Sequence, residues 1–198
     1  RDLAIPPVVV VEHRLAISAI VLVAWLAWRR PSLLAVPPRS LPELFILSVL
    51  GVAMIQATYY YSISVLGVGL SILIQYLAPI LIVIWEILRG ARPGARTGLI
   101  VAAALAGTAL LVGQVGPAAA HIRVIDWLIG FSSAFTFAFY IVYSKRVLRH
   151  HPPETVQVYS FVIAAAFWMI AVPPMKILSA GYSTTHWLLF LVIAPISA

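Results

Sequence analysis

Read for the spacing of apolar and polar positions, the chain falls into seven long apolar runs: 8–28, 41–63, 68–88, 97–115, 125–144, 155–174 and 186–198. All but the last approach the roughly 20 residues a helix needs to cross a hydrocarbon core. The runs are too long for strands and do not alternate in twos, so helices are expected throughout. Between them lie the breakers and polar clusters of loops, among them RRPSLLAVPPRS, LGVG, RGARPGAR and SKRVLRHHPPE. The fold class this implies is an all-α integral membrane bundle.

Composition agrees. The 198 residues are 63% hydrophobic and 10% charged, with a mean hydropathy of +1.04. Soluble domains run at about 45–50% apolar and about 25% charged, and a soluble fold of this length has no way to hide so much apolar surface. There is no cysteine, which removes disulfides, thiolate metal sites and cysteine nucleophiles.

The net charge of +7 suggests nucleic acid until the cations are placed. Loop 29–42 holds Arg29, Arg30 and Arg39; loop 89–97 holds Arg89, Arg92 and Arg96; loop 145–154 holds Lys145, Arg146 and Arg149. These are every second loop. The intervening segments hold Arg1, Arg123 and Lys176, and Arg14 lies within the first run. Such a bias is the positive-inside signature, so the three rich loops face the cytoplasm and no nucleic-acid partner is expected. The bilayer is the partner.

A weak internal repeat accompanies this order. Pro6-Pro7 and Pro152-Pro153 stand 146 positions apart, each before an Ala-containing apolar run. At the same offset Leu44-Phe45-Ile46-Leu47 falls on Phe190-Leu191-Val192-Ile193. The charge bias puts the first Pro-Pro outside and the second inside, so the copies are inverted. Five spans separate equivalent positions, which makes two inverted five-helix repeats: 1–116 holds helices two to five of the first and 117–198 an incomplete second. By this arithmetic the chain is truncated at both ends, lacking one span upstream and about two and a half downstream. Inverted repeats are characteristic of secondary transporters, whose solute site lies near the midplane between them.

The block TYYYSISVLGVGLSILIQYLAPILIVIWEILRGARPGARTGLIVAAALAGTALLVG joins an aromatic helix, a Gly turn, a helix with central Ala-Pro, a Gly-x-Arg-Pro loop and a Gly/Ala-rich helix. In that order these features resemble the EamA-type family of the drug/metabolite transporter superfamily. GFSSAFTFAFYIVYSKRVLRHHPPE is similar to the opening helix of that family's second half. Ala91 stands where the family usually has Glu. The resemblance implies ten helices in two halves, no cofactor, and transport of amino acids or other small metabolites, by export or import. It also implies residence as a multi-pass protein in the bacterial inner (plasma) membrane. A homodimer is compatible with it.

Candidate site residues follow from polar groups inside apolar runs. In GLSILIQYLAPILIVIWEILRG, positions Ser71, Pro79, Ile82 and Glu86 fall within about 40° of Gln75 on a helical wheel. A polar stripe on a membrane helix belongs against other helices or a water-filled cavity. Pro79 has no amide hydrogen to give the Gln75 carbonyl, which sets a break at mid-span. Gln56 and Tyr60 share a face of the preceding helix. Arg14, inside the first run, suits a solute carboxylate. The expected substrate-binding residues are therefore Arg14, Gln56, Tyr60, Gln75 and Pro79, with Glu86 the candidate for proton coupling. Each has a plainer reading: Gln75 as interhelical glue, Pro79 as packing, Tyr60 as an interface anchor, Arg14 as a snorkelling anchor, and Glu86 as an ion pair with Arg89. Tyr76 and Tyr140 are weaker candidates. His150-His151 lack a spaced third ligand, so no metal site is expected, and Gly67-Val68-Gly69 lacks the Lys and Ser/Thr of a phosphate loop. The acids are scattered, so the alternative of an integral-membrane enzyme acting on a lipid or isoprenoid finds no paired carboxylates, and no catalytic residues are assigned.

Overall fold

The computed structural model describes residues 7–92, 94–112 and 123–171, with the side chains of 7–14, 108, 109, 111 and 112 left aside. Arg14's side chain, Pro6 and the seventh run therefore lie outside the described residues. Those described form six long helices, one short 3-10 helix at Pro31–Leu34 and no strand; the long helices are α1 (Pro7–Arg29), α2 (Pro38–Leu66), α3 (Val68–Leu88), α4 (Ala95–Val112), α5 (Val124–Val147) and α6 (Pro153–Ala171). The described parts of α2, α3, α5 and α6 are each long and apolar enough to cross a membrane.

Local chemistry sets the ends. Proline opens α1 and α6, where the missing amide has no intrahelical partner to lose. Asp126 and Glu154 stand in first turns, and Arg29, Lys145 and Arg146 in last turns, as the helix dipole favours. α3 ends on Gly90, whose φ of +87° suits glycine. The Gly90 amide bonds to Ile87 O at 2.9 Å and the Ala91 amide to Glu86 O at 3.0 Å, the pairing of a Schellman cap. The turn between α2 and α3 is one residue, Gly67, with φ +81°. Ser71 Oγ donates to the Gly67 carbonyl and accepts from Ser62 Oγ, both at 2.8 Å, which ties the two arms together.

Two helices are irregular. Within α2, residues Leu47–Ala53 form a π-helical stretch flanked by α-helical Leu41–Ile46 and Met54–Leu66. The apolar pattern gives no hint of it. α3 is interrupted at Tyr76 and Leu77, between Val68–Gln75 and Ala78–Leu88. The Leu77 amide turns tightly to Ile74 O at 3.0 Å, and the Ile80 amide to Leu77 O at 3.0 Å. This is the break expected from Pro79.

The residues pack as two compact units, Arg1–Ala57 with Tyr143–Ala198, and Thr58–Val142. This grouping follows packing, whereas the division at 116/117 expected from the sequence follows repetition; the two are different partitions. In the first unit α6 packs along α1 and along the π-helical stretch. Leu15, Leu26, Leu44, Leu47, Ala53, Val147 and Ala164 are fully buried there. α1 and α6 run antiparallel. The residues following α1 meet the first turns of α6: Thr155 Oγ1 donates to Leu33 O at 2.8 Å and Tyr159 OH to Leu34 O at 2.7 Å. Two of the three arginine-rich loops therefore sit at one end of this unit.

In the second unit Leu66, Leu70, Leu73 and Ile74 form a core with Trp127 packed against it. α4 lies on the first half of α3. α5 approaches the α2–α3 hairpin at Gly130, where a Cβ would stand 2.8 Å from Leu66 Cδ1 and 3.4 Å from Ser62 Oγ. A methyl displaces only the flexible end of Leu66; a branched side chain has no room. We expect Gly130→Ala to be tolerated and Gly130→Val to lose about 1–3 kcal/mol by overpacking, measured by thermal denaturation of the purified full-length protein.

Candidate functional site

The α3 break puts unusual chemistry inside an apolar span. Gln75 ends the first half and is half-buried; Pro79 is the second residue of the second half and is exposed. Pro79 cannot supply an amide hydrogen to the Gln75 carbonyl, so both the backbone oxygen and the side-chain amide of Gln75 are available at this point. Ser71, one turn earlier, is fully buried and held in the Ser62–Gly67 network. Tyr76, in the break itself, is 60% exposed. Gln75 and Pro79 are thus brought together around one irregularity, with Ser71 beneath it.

The other expected residues are distributed. Gln56 is half-buried in the first unit, three residues beyond the end of the π-helical stretch. Tyr60 is half-buried in the second unit, edge-to-face with Tyr59 at 5.9 Å between ring centres. Tyr140 is half-buried and stacks on Phe137. Glu86 is exposed and makes no ion pair among the described residues. The pairing of Glu86 with Arg89 suggested by their spacing is not formed: the Arg89 guanidinium lies 4.5 Å above the Trp85 ring instead. At an exposed helix end an aromatic face competes well with a solvated carboxylate.

The sequence reading missed two polar clusters. In the second unit, Asp126 is 3% exposed. Arg123 forks onto it, Nε to Oδ2 at 2.9 Å and Nη2 to Oδ1 at 3.0 Å, and Tyr61 OH donates to Oδ1 at 2.8 Å. The hydrogen bonds to Asp126, then its charge, raise Arg123 further above its ordinary pKa, so the guanidinium stays charged. One signal was present: Asp126 stands inside an apolar span three residues after Arg123, and an ionisable residue in a span needs a named partner.

In the first unit, His151 Nε2 meets Glu43 Oε1 at 3.2 Å, and Arg30 Nη1 meets Glu154 Oε1 at 3.7 Å. With the Thr155 and Tyr159 bonds they form one polar band at the arginine-rich end. Its partners lie more than a hundred positions apart, so spacing alone does not reveal it. Among the described residues no three His, Asp or Glu side chains come together as metal ligands would. The described polar groups are placed for hydrogen bonding and ion pairing.

Comparison with known proteins places the chain in a family. A protein from Salmonella typhimurium named "uncharacterized inner membrane transporter YicL" is 32% identical over 110 residues, 55% of this chain and 37% of that protein. The chain therefore matches little more than a third of that curated relative's length. No solved structure matches the chain. The family model of EamA-like transporters matches residues 3–113, more than half of the chain; with its apolar helices and the Ala-Pro break at the centre of α3, the protein belongs to the EamA-like transporter family.

Proposed function

We propose that the chain is part of a secondary transporter of the bacterial inner membrane, moving a small metabolite such as an amino acid through a site between two inverted five-helix repeats. The observation that carries the reading is the interruption of α3 between Gln75 and Ala78 in an otherwise apolar span. Broken membrane helices are where carriers expose backbone and amide groups to solutes. Family membership supports it, as does the relative's name. The antiparallel packing of α1 and α6, the two runs that the repeat makes equivalent, also supports it.

In this reading Gln75 and Pro79 bind the solute, Arg14, Gln56 and Tyr60 remain the further candidate substrate-binding residues, and recognition is by hydrogen bonds. Glu86 remains the candidate carboxylate for a coupling proton. The polar band of Glu43, His151, Arg30, Glu154, Thr155 and Tyr159 joins α1 and α2 of the first repeat to α6 of the second. Alternating access requires the repeats to part at each end in turn, so this band is the cytoplasmic closure.

Each element has its own measurement. Gln75→Leu in the full-length protein lowers solute flux in reconstituted vesicles about three- to tenfold, the worth of one hydrogen bond; unchanged flux at unchanged expression removes Gln75 from the site. Pro79→Ala restores an amide and a regular helix, and is expected to reduce flux while keeping or raising the melting temperature. A cysteine at Val156, now 6% exposed, reports the closure. With Thr155→Val and Tyr159→Phe it should react several-fold faster with an impermeant maleimide supplied from the cytoplasmic side. Equal reactivity would make the band mere scaffold.

A further inference from the structure

The second half of α3 and the inner part of α5 enclose a groove of about 360 Å³ whose walls include Leu81, Trp85, Leu88, Phe135, Phe139 and Val142. Every lining side chain is hydrocarbon or aromatic. A polar metabolite lodged here would leave its donors and acceptors unpaired, at a cost of about 1–3 kcal/mol each, so the groove suits a hydrocarbon chain. Its walls remain open to the surroundings: Trp85 is 45% and Leu88 78% exposed.

One end of the groove is charged. Arg89 follows Leu88 directly, and its guanidinium is held 4.5 Å over the Trp85 ring. Trp85 thus lines the groove and positions a cation at its mouth. Gly90 turns the chain there, and Arg92 and Arg96 follow, both exposed. None of the three arginines makes an ion pair with a described acid. Glu86 is the one described acid on the second half of α3, and Arg89 has turned from it to the ring. This end carries the positive-inside loop 89–97, so it meets the leaflet in which anionic lipids are enriched.

We propose that the groove is a binding site for an anionic phospholipid, with an acyl chain between α3 and α5 and the headgroup phosphate on Arg89, supported by Arg92 and Arg96. The sequence order favours this juxtaposition: an apolar helix face runs into a tight glycine cap, Arg89 stands at the end of that face, and Arg92 and Arg96 follow within a few residues. The site is independent of the solute pathway at Gln75, and the transport reading can fail without affecting it.

The test uses the full-length protein in phosphatidylcholine vesicles containing either brominated phosphatidylglycerol or brominated phosphatidylcholine at equal mole fraction. Bromine quenches tryptophan on contact, and Trp85→Phe isolates the share of Trp85. We expect the brominated anionic lipid to quench Trp85 more strongly than the brominated zwitterionic lipid. Arg89→Gln should cut that preference about fivefold, the worth of one basic residue at a membrane surface, with an unchanged melting temperature. Equal quenching by both lipids would reduce the groove to general bilayer contact. Protection of Trp85 from both would mean that protein covers it. Either result overturns the proposal.

Discussion

Inside a bilayer no water is on hand to satisfy a stray amide or carbonyl, so the backbone has to satisfy itself. That constraint makes the long apolar runs helical and makes each departure from a regular helix informative. Three such departures lie within or between the apolar spans described: the wide turns of Leu47–Ala53, the one-residue turn at Gly67, and the break at Tyr76–Leu77. Each is held in place by packing, by a side chain or by backbone hydrogen bonds. The π-helical stretch is buried on five of its seven residues, Ser71 covers the Gly67 carbonyl, and tight turns bridge the break. The helical framework is the default, and the special chemistry sits where the default is suspended.

The described charges obey the same economy. Asp126 is buried against Arg123 and Tyr61, His151 against Glu43, and Arg30 reaches Glu154. Glu86 and the arginines after α3 lie at an exposed end. Apolar surface fills the remainder, and it stays open along the outward faces of α3, α4 and α5, where Leu88, Leu99, Leu110 and Phe135 are exposed. In water such faces would be a liability; in lipid they are ordinary.

Most of the helical pattern could be read from the sequence, because length and hydropathy set it. Run 41–63 became Pro38–Leu66 and run 125–144 became Val124–Val147, the helices continuing into polar flanks such as Lys145-Arg146 that the apolar run excludes. Gly67, Gly90 and Pro79 were readable because each has a local conformational consequence. Leu47–Ala53 was not, since nothing in LSVLGVA distinguishes an α from a π register; that choice comes from packing against α6. Of the candidate site, the irregular backbone was readable. Gln75 and Pro79 announced a break through a missing amide, but Tyr61 and Asp126, or Glu43 and His151, meet only after the chain has folded. The spacing of Glu86 and Arg89 proposes an ion pair, but Trp85 competes for the same cation.

Gly67 has a mechanical implication. A connection of one residue between two membrane-crossing rods stores no slack, and the Ser62–Ser71 bond removes what freedom the glycine retains. The ends of the two rods that meet at Gly67 therefore have little room to move apart. Bending is therefore easiest within an arm, at the wide coil of one or the notch of the other, which is where the chain has placed its irregular backbone.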